Sequence, residues 1–377
     1  MSTVNNLPSV TVETFTQIVE LQFKENNLRP IFGLGKGGIG KTESIMDLAK
    51  NKLGIGYIDI RLLLYSETDL KGIPYPDQNH IKTIWLQNNI LPTVEKDGER
   101  GILVFDEITS CSRGVRTAAY QLLNEHRLGE YVLPDGWLVV CLGNGEEDGG
   151  DYNGMEGNFA NRCSVYNVVA DLDTWKGWAN THNVHELVLA FISFKPEHLH
   201  SFNPNKETDI LFASPRSWKA VSDILNVNGY SEDNYILHSR INGNVGREVG
   251  ETFIAFCKYR KDTVDPMTIL RDRALPDINS REVVYITIQS CVKILTDRLT
   301  MEVEQGTISA ESVSYVSNFV RWMLTKLPLD NAVMGIQDLL RSNKIAIRQI
   351  ILTPSSQFHQ LCPEWKTFIS EHGNIFL

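Results

Sequence analysis

Gly35-Lys36-Gly37-Gly38-Ile39-Gly40-Lys41-Thr42 is the stretch on which the reading of this chain turns. It fits the pattern G-x-x-x-x-G-K-[ST] at every fixed position. An apolar run, Pro30 to Leu34, precedes it, and a helix-forming run, Thr42 to Leu53, follows. Glycines let the backbone curl so that successive N–H groups point inward at an anion. The following helix directs its positive end at the same place. Lys41 would neutralise the β- and γ-phosphates of a nucleoside triphosphate, and the Thr42 hydroxyl would ligate Mg²⁺. The candidate phosphate-binding residues are therefore Gly35, Lys36, Gly37, Gly38, Ile39, Gly40, Lys41 and Thr42, with Glu43 beside them in the first helical turn. An unrelated glycine-rich turn is the plain alternative, and the strand and helix flanks speak against it.

Working outward, Ile102-Leu103-Val104-Phe105-Asp106-Glu107 is an apolar run that ends in two acids. On a strand of a parallel sheet, such a pair stands at the carboxyl edge, where ligands bind in α/β folds. Asp106 would hold Mg²⁺, directly or through water, together with Thr42. Glu107 is placed to accept a proton from an attacking water or to orient it. Asn144 closes the run Leu138 to Leu142 and would reach the γ-phosphate or that water; the plain alternative is an Asn that merely ends a strand.

Five apolar runs of strand length fall in the first 170 residues: Pro30 to Leu34, Ile55 to Leu64, Gly101 to Phe105, Gly136 to Leu142 and Cys163 to Val169. The third and fourth do not alternate, which marks strands covered on both faces and hence a parallel sheet. Helices are expected over Val12 to Glu25, Thr42 to Leu53, Gln78 to Asn88 and Arg113 to His126. The fold class that follows is α/β, a three-layer αβα core of the P-loop NTPase type with a parallel sheet, spanning residues 1–171. After Asp171 the pattern turns helical. A helical lid is expected over residues 172–260, with segments at Val184 to Phe194 and Pro215 to Leu225, and a helical C-terminal extension over 261–377. In the extension, Glu282 to Glu304 and Ser309 to Leu327 carry apolar stripes. Ser309 would cap the second, whose buried face is Val313, Val316, Phe319, Val320, Met323 and Leu327.

The 377 residues include 36 Lys and Arg against 46 Asp and Glu, a net charge of −10. That balance disfavours a protein whose task is to coat phosphate backbone. No run of about 18 apolar residues is present to span a membrane. Six scattered cysteines lack Cys-x-x-Cys spacing and read as free thiols of a cytoplasmic protein. The pair His198 and His200 lacks a motif-spaced third ligand and reads as surface rather than metal. Gly145 to Gly154 is glycine-rich and acidic, the composition of a solvated loop; the sharper alternative is contact with a basic partner or a ring pore.

Taken together, these residues resemble the MoxR-like branch of the AAA+ ATPases. The resemblance is carried by the phosphate loop, Asp59-Ile60-Arg61-Leu62, Asp69-Leu70-Lys71-Gly72-Ile73-Pro74, Asp106-Glu107, Leu122-Leu123-Asn124-Glu125, Leu133-Pro134-Asp135-Gly136-Trp137, Gly143-Asn144, Asn161-Arg162 and Ser214-Pro215-Arg216-Ser217-Trp218, in the family's order over about residues 28 to 255. It implies Mg²⁺-dependent ATP hydrolysis at subunit boundaries of a ring, usually a hexamer. It implies that Arg162 is an arginine finger reaching a neighbour's γ-phosphate, Arg216 the second sensor on the lid and Asn144 the first. Plain alternatives are a surface ion pair for Arg162 and a helix-capping role for Arg216. The resemblance further implies chaperone-like remodelling of a protein partner, possibly one with a von Willebrand factor A domain. Two other functions stay open at this point: a nucleic-acid-associated motor, and a nucleotide switch that does not hydrolyse.

Overall fold

The computed structural model describes residues 7–79, 81–86, 89–145, 161–202, 211–271, 275–353 and 355–373. The chain divides into two compact units, the first running through Asp171 and the second beginning at Leu172.

Among its described residues the first unit has ten strands and five α-helices. In chain order these are β1 (Ser9–Thr11), α1 (Val12–Lys24), β2 (Ile31–Leu34), α2 (Lys41–Asp47), β3 (Gly56–Arg61), α3 (Glu67–Lys71), β4 (Ile73–Pro76), β5 (Thr83–Leu86), α4 (Val94–Asp97), β6 (Arg100–Asp106), α5 (Arg113–Glu125), β7 (Arg127–Leu128), β8 (Tyr131–Val132), β9 (Gly136–Gly143) and β10 (Ser164–Val169). Six of the strands form one all-parallel sheet in the order β1-β10-β2-β9-β6-β3. Strand β2 is central, and the chain leaves it for the far edge at β3 before returning through β6 and β9. Reversals of this kind open a crevice beyond the carboxyl ends of the strands.

Strands β6 and β9 are buried along almost their whole length. Side-chain alternation explains why. Ile102, Val104, Leu138 and Val140 pack with Phe15 and Val19 of α1 and Ile45 of α2. Their neighbours Leu103, Phe105, Val139 and Cys141 pack with Val115, Ala118, Ala119 and Leu122 of α5. Helices on both faces make the three-layer αβα arrangement, as the uninterrupted apolar runs predict.

Two local expectations need correction. No helix forms over Gln78 to Asn88: among its described residues, Thr83–Leu86 pairs antiparallel with Ile73–Pro76, in register Ile73↔Leu86 to Pro76↔Thr83. Asp77 closes the turn, its Oδ1 accepting from the amides of Ile81 (2.8 Å) and Lys82 (3.0 Å). That side-chain bond competes with helix, and β-branched and aromatic residues at Thr83, Ile84 and Trp85 favour the strand. Likewise the run Ile55 to Leu64 is not one strand; β3 ends at Arg61 and Leu62–Leu64 forms a 3₁₀ turn.

The second unit is helical among its described residues. Rings of Phe191, Trp218 and Phe253 lie 5.2–5.4 Å apart at the centre of one apolar cluster. A second cluster gathers Val316, Phe319, Val320 and Met323 with Ile336 and Leu339. Helix Arg281–Glu304 contributes Ile286 to the first cluster and Ile288, Val292 and Leu295 to the second. The stretches before and after residue 260 therefore lie in one unit. Ser309 caps Ala310–Lys326, accepting from the Ser312 amide at 3.2 Å. His198 and His200 are half-buried rather than superficial, because each packs on a phenylalanine: His198 stacks on Phe191 with centroids 5.6 Å apart, and His200 lies 5.6 Å from Phe212. All six cysteines are buried free thiols. No helix among the described residues is long and apolar enough to cross a membrane.

Candidate functional site

Strand β2 is fully buried and stops at Gly35, whose amide still donates to the Gly143 carbonyl at 3.1 Å. A Cβ on Gly35 would lie 2.1 Å from the Val168 carbonyl oxygen, so no other residue fits the exit from the sheet. Gly38 and Gly40 have φ of 78° and 94°, in the left-handed region that glycine enters without strain. The loop thus curls back on the strand and hands over to α2 at Lys41.

Lys41 is buried, and its ammonium turns into the loop, donating to the carbonyls of Gly35 (2.5 Å) and Lys36 (2.8 Å). A cation and a helix N-terminus converge there, which is a setting for phosphate. One residue on, the Thr42 hydroxyl donates to Asp106 Oδ2 at 2.7 Å, across 64 residues of sequence. The first turn of α2 and the end of β6 are thereby joined through side chains. A hydroxyl and a carboxylate held together are hard oxygen ligands of the kind Mg²⁺ takes. Among the described residues no group of three or more His, Cys, Asp and Glu is arranged to hold a metal. Two protein oxygens suit a cation whose other positions are filled by phosphate and water.

Glu107 follows with φ of 57°, one of four non-glycine residues among those described with positive φ. Its own amide donates to Asp106 Oδ1 at 2.8 Å, and its carbonyl accepts from Ser110 at 3.0 Å. The next amide, Ile108, donates to the Leu142 carbonyl at 3.1 Å, so the turn is pinned to the end of β9. A glutamate held in the left-handed region stores conformational energy at the position where two acids meet the loop. Asn144 leaves β9 beside it. The Asn144 amide donates to Thr109 Oγ1 at 3.1 Å, and its Oδ1 lies 3.9 Å from the place a Cβ on Gly37 would occupy. Lys41, Thr42, Asp106, Glu107 and Asn144 are accordingly brought to one edge of the sheet.

A further group stands on the neighbouring strand. Tyr57, Asp59 and Arg61 alternate along β3, and Arg61 is in register with Asp106. Burial raises the Asp59 carboxyl above its ordinary range, and the negative charges of Asp106 and then Glu107 raise it further, against an opposing effect of Arg61. Burial likewise pushes the Tyr57 phenol up, with Asp59 and Asp106 adding to it. The three carboxylates repel one another, which favours a cation at this edge. No role for Asp59 follows from the sequence motif alone; a polar residue at every second position of a strand beside the acid pair is the signal that points to it.

The two arginines lie elsewhere. Arg162 is exposed just before β10, at the amino end of that strand, where Ser164 is in register with Ile31. The phosphate loop leaves β2 from the opposite end. The first unit therefore does not bring Arg162 to its own loop. Arg216 is exposed on the first turn of helix Pro215–Asn228 in the second unit, whose amino end is capped by Ser214 accepting from the Ser217 amide at 3.2 Å. Of the acidic stretch Gly145 to Gly154, all but Gly145 lies outside the described residues.

No protein-family profile and no curated protein sequence matches this chain. Among solved structures, it is similar to a candidate ATPase from Cytophaga hutchinsonii, at 13% identity and a TM-score of 0.33, over 93% of this chain and 89% of that one. It is also similar to NtrX from Brucella abortus in complex with ADP, at 12% identity and a TM-score of 0.39, over 94% of this chain and 67% of that one.

Proposed function

We propose that this chain is an ATPase of the AAA+ type that hydrolyses ATP with Mg²⁺. The observation that carries the reading is the 2.7 Å bond between Thr42 and Asp106 beside the buried Lys41 ammonium, which joins the phosphate loop to the acid pair. Lys41 and the amino end of α2 bind the β- and γ-phosphates. Thr42 and Asp106 hold the Mg²⁺, which supplies charge neutralisation to the phosphates when bound. Glu107 orients a water for in-line attack on the γ-phosphorus and accepts its proton as the bond to the β-phosphate oxygen breaks. Asn144 stands between the two motifs, where it contacts the γ-phosphate or the water.

The finer resemblance extends the proposal. Subunits assemble in a ring, hexameric by that resemblance, and Arg162 stabilises the transition state in a neighbour's site. Its place at the amino end of β10, away from its own phosphate loop, supports a role in trans. Arg216 couples the helical region to the nucleotide state. Turnover drives remodelling of a protein partner, in the MoxR-like manner a protein with a von Willebrand factor A domain. The net charge of −10 is against the nucleic-acid motor.

The test is ATP binding and turnover of wild type and Glu107→Gln. Retained Mg²⁺-ATP binding with turnover lowered by about 100-fold or more is expected. Equal turnover in the two proteins would remove Glu107 from the mechanism, and absence of nucleotide binding in both would end the proposal.

A further inference from the structure

The backbone on both sides of Arg162 is held by one residue from the other end of the sheet's sequence. Arg29 lies in the short connection between α1 and β2. Its Nη2 donates to the Asn161 carbonyl at 2.8 Å and to the Cys163 carbonyl at 3.2 Å, across 132 and 134 residues. The two acceptors bracket Arg162. A guanidinium suits this task because its planar fork presents several N–H donors in fixed directions, where an ammonium is a single point on a flexible stem.

Arg29 is itself fixed. Its carbonyl accepts from Nε2 of Gln22, a residue of α1 that is buried, and its amide donates to Asn27 Oδ1 at 3.2 Å. The next carbonyl, that of Pro30, accepts from the Ser164 amide at 2.9 Å, at the start of the β2–β10 pairing. One side of the clamp is therefore tied to a helix and a sheet. The other side is the segment entering β10. Between them opens a cavity of about 600 Å³, bordered by Leu28, Arg29, Leu123, His126 and Arg162. Arg162 itself is exposed and forms no ion pair among the described residues.

Arg29 is also exposed, so bonds of this sort contribute little to overall stability. What they do fix is position. We infer that Arg29 is a positioning residue for Arg162: it immobilises the peptide groups around Arg162 so that this side chain projects from the amino rim of the sheet toward the phosphate site of a second copy. The inference rests on the trans reading of Arg162 above. A group that acts only in the transition state loses about 100-fold when misplaced by about 1 Å. Loosening the segment therefore lowers kcat and leaves nucleotide affinity alone.

The experiment is subunit mixing with the full chain. Arg29→Ala, Arg29→Lys and Arg162→Ala are each assayed alone and after mixing with Lys41→Ala subunits, whose own site is dead but whose Arg162 and Arg29 are intact. Expected for Arg29→Ala is a fall in kcat of about 10- to 100-fold with KM within about 2-fold of wild type. Arg29→Lys, unable to span both carbonyls, falls short of wild type in the same parameter and carries the test should the alanine variant not fold. Mixing with Lys41→Ala restores turnover above the weighted mean, as it does for Arg162→Ala. A purely structural Arg29 would damage its own subunit's site and could not be rescued. Wild-type kcat in Arg29→Lys and Arg29→Ala, or rescue of Arg162→Ala without rescue of the Arg29 variants, overturns the inference alone. Failure of Arg162→Ala to be rescued overturns the trans reading and the inference with it.

Discussion

The hydroxyl of Thr42 and the carboxylate of Asp106 are joined at 2.7 Å, although one opens a helix and the other ends a strand two positions across the sheet. That bond fixes where a cation would sit and makes the two residues interdependent. Thr42→Ala and Asp106→Asn are each expected to lower Mg²⁺-dependent turnover by about 100-fold or more, and the double variant to be little worse than either, since residues acting as a unit are not additive. Turnover measured against Mg²⁺ concentration checks this; two independent, additive losses would show that the residues do not share one cation.

Glu107 sets function against stability. Its φ of 57° is better suited to asparagine or glycine than to glutamate. Glu107→Asn is expected to hold or raise the melting temperature, by an amount corresponding to about 0.5–1 kcal/mol, while abolishing turnover. Calorimetry alongside an ATPase assay decides it. A loss of stability on substitution would mean that the turn is not strained by the acid.

In the second unit, Lys176 and Asp338 form an ion pair at 2.6 Å with both side chains almost wholly shielded from water. Gln289 Nε2 donates to the same Asp338 Oδ2 at 2.5 Å. Removing one partner leaves a charge with no solvent. Asp338→Ala is expected to cost about 3–5 kcal/mol, and Lys176→Met with Asp338→Leu to recover much of that loss. Urea denaturation of the singles and the double gives the coupling. Additive losses would show that the pair is not energetically linked.

Acid should weaken the same unit. Burial lowers the proton affinity of His185, whose Nδ1 accepts from the Leu187 amide at 3.2 Å, and of His198, stacked on Phe191. Below about pH 6.5 the unfolded imidazoles bind protons that the folded ones resist, so unfolding is favoured as pH falls through that value and stability is fully present above it. Melting curves from pH 8 to pH 5 are expected to show this slope, reduced in His185→Gln. A flat profile in wild type would remove the histidines as its cause.

The phosphate loop, the acid-ended strand and the three layers were legible because each rests on a local pattern. Glycine spacing, uninterrupted apolar runs and a strand–loop–helix order need no knowledge of distant residues. What escaped were long-range placements. Asp59 gains meaning only when β3 is laid beside β6, and Arg29 only when the segment before β10 is brought to it. The hairpin Ile73–Pro76 with Thr83–Leu86 was missed for a different reason: Asp77 decides it through two side-chain bonds that a pattern of apolar residues does not register. Thr109, which accepts from the Asn144 amide, sits in a loop with no motif to announce it.

Lys41 already has acceptors for its protons, in the carbonyls of Gly35 and Lys36. Under the proposed function, an arriving anion would displace these partners, so its binding would be an exchange. A lone inorganic phosphate offers few oxygens to offset the two bonds given up, whereas a polyphosphate chain would reach the ammonium, the helix end and the Thr42–Asp106 pair together. Under the proposed function, the loop would thereby favour linked phosphates over a single one.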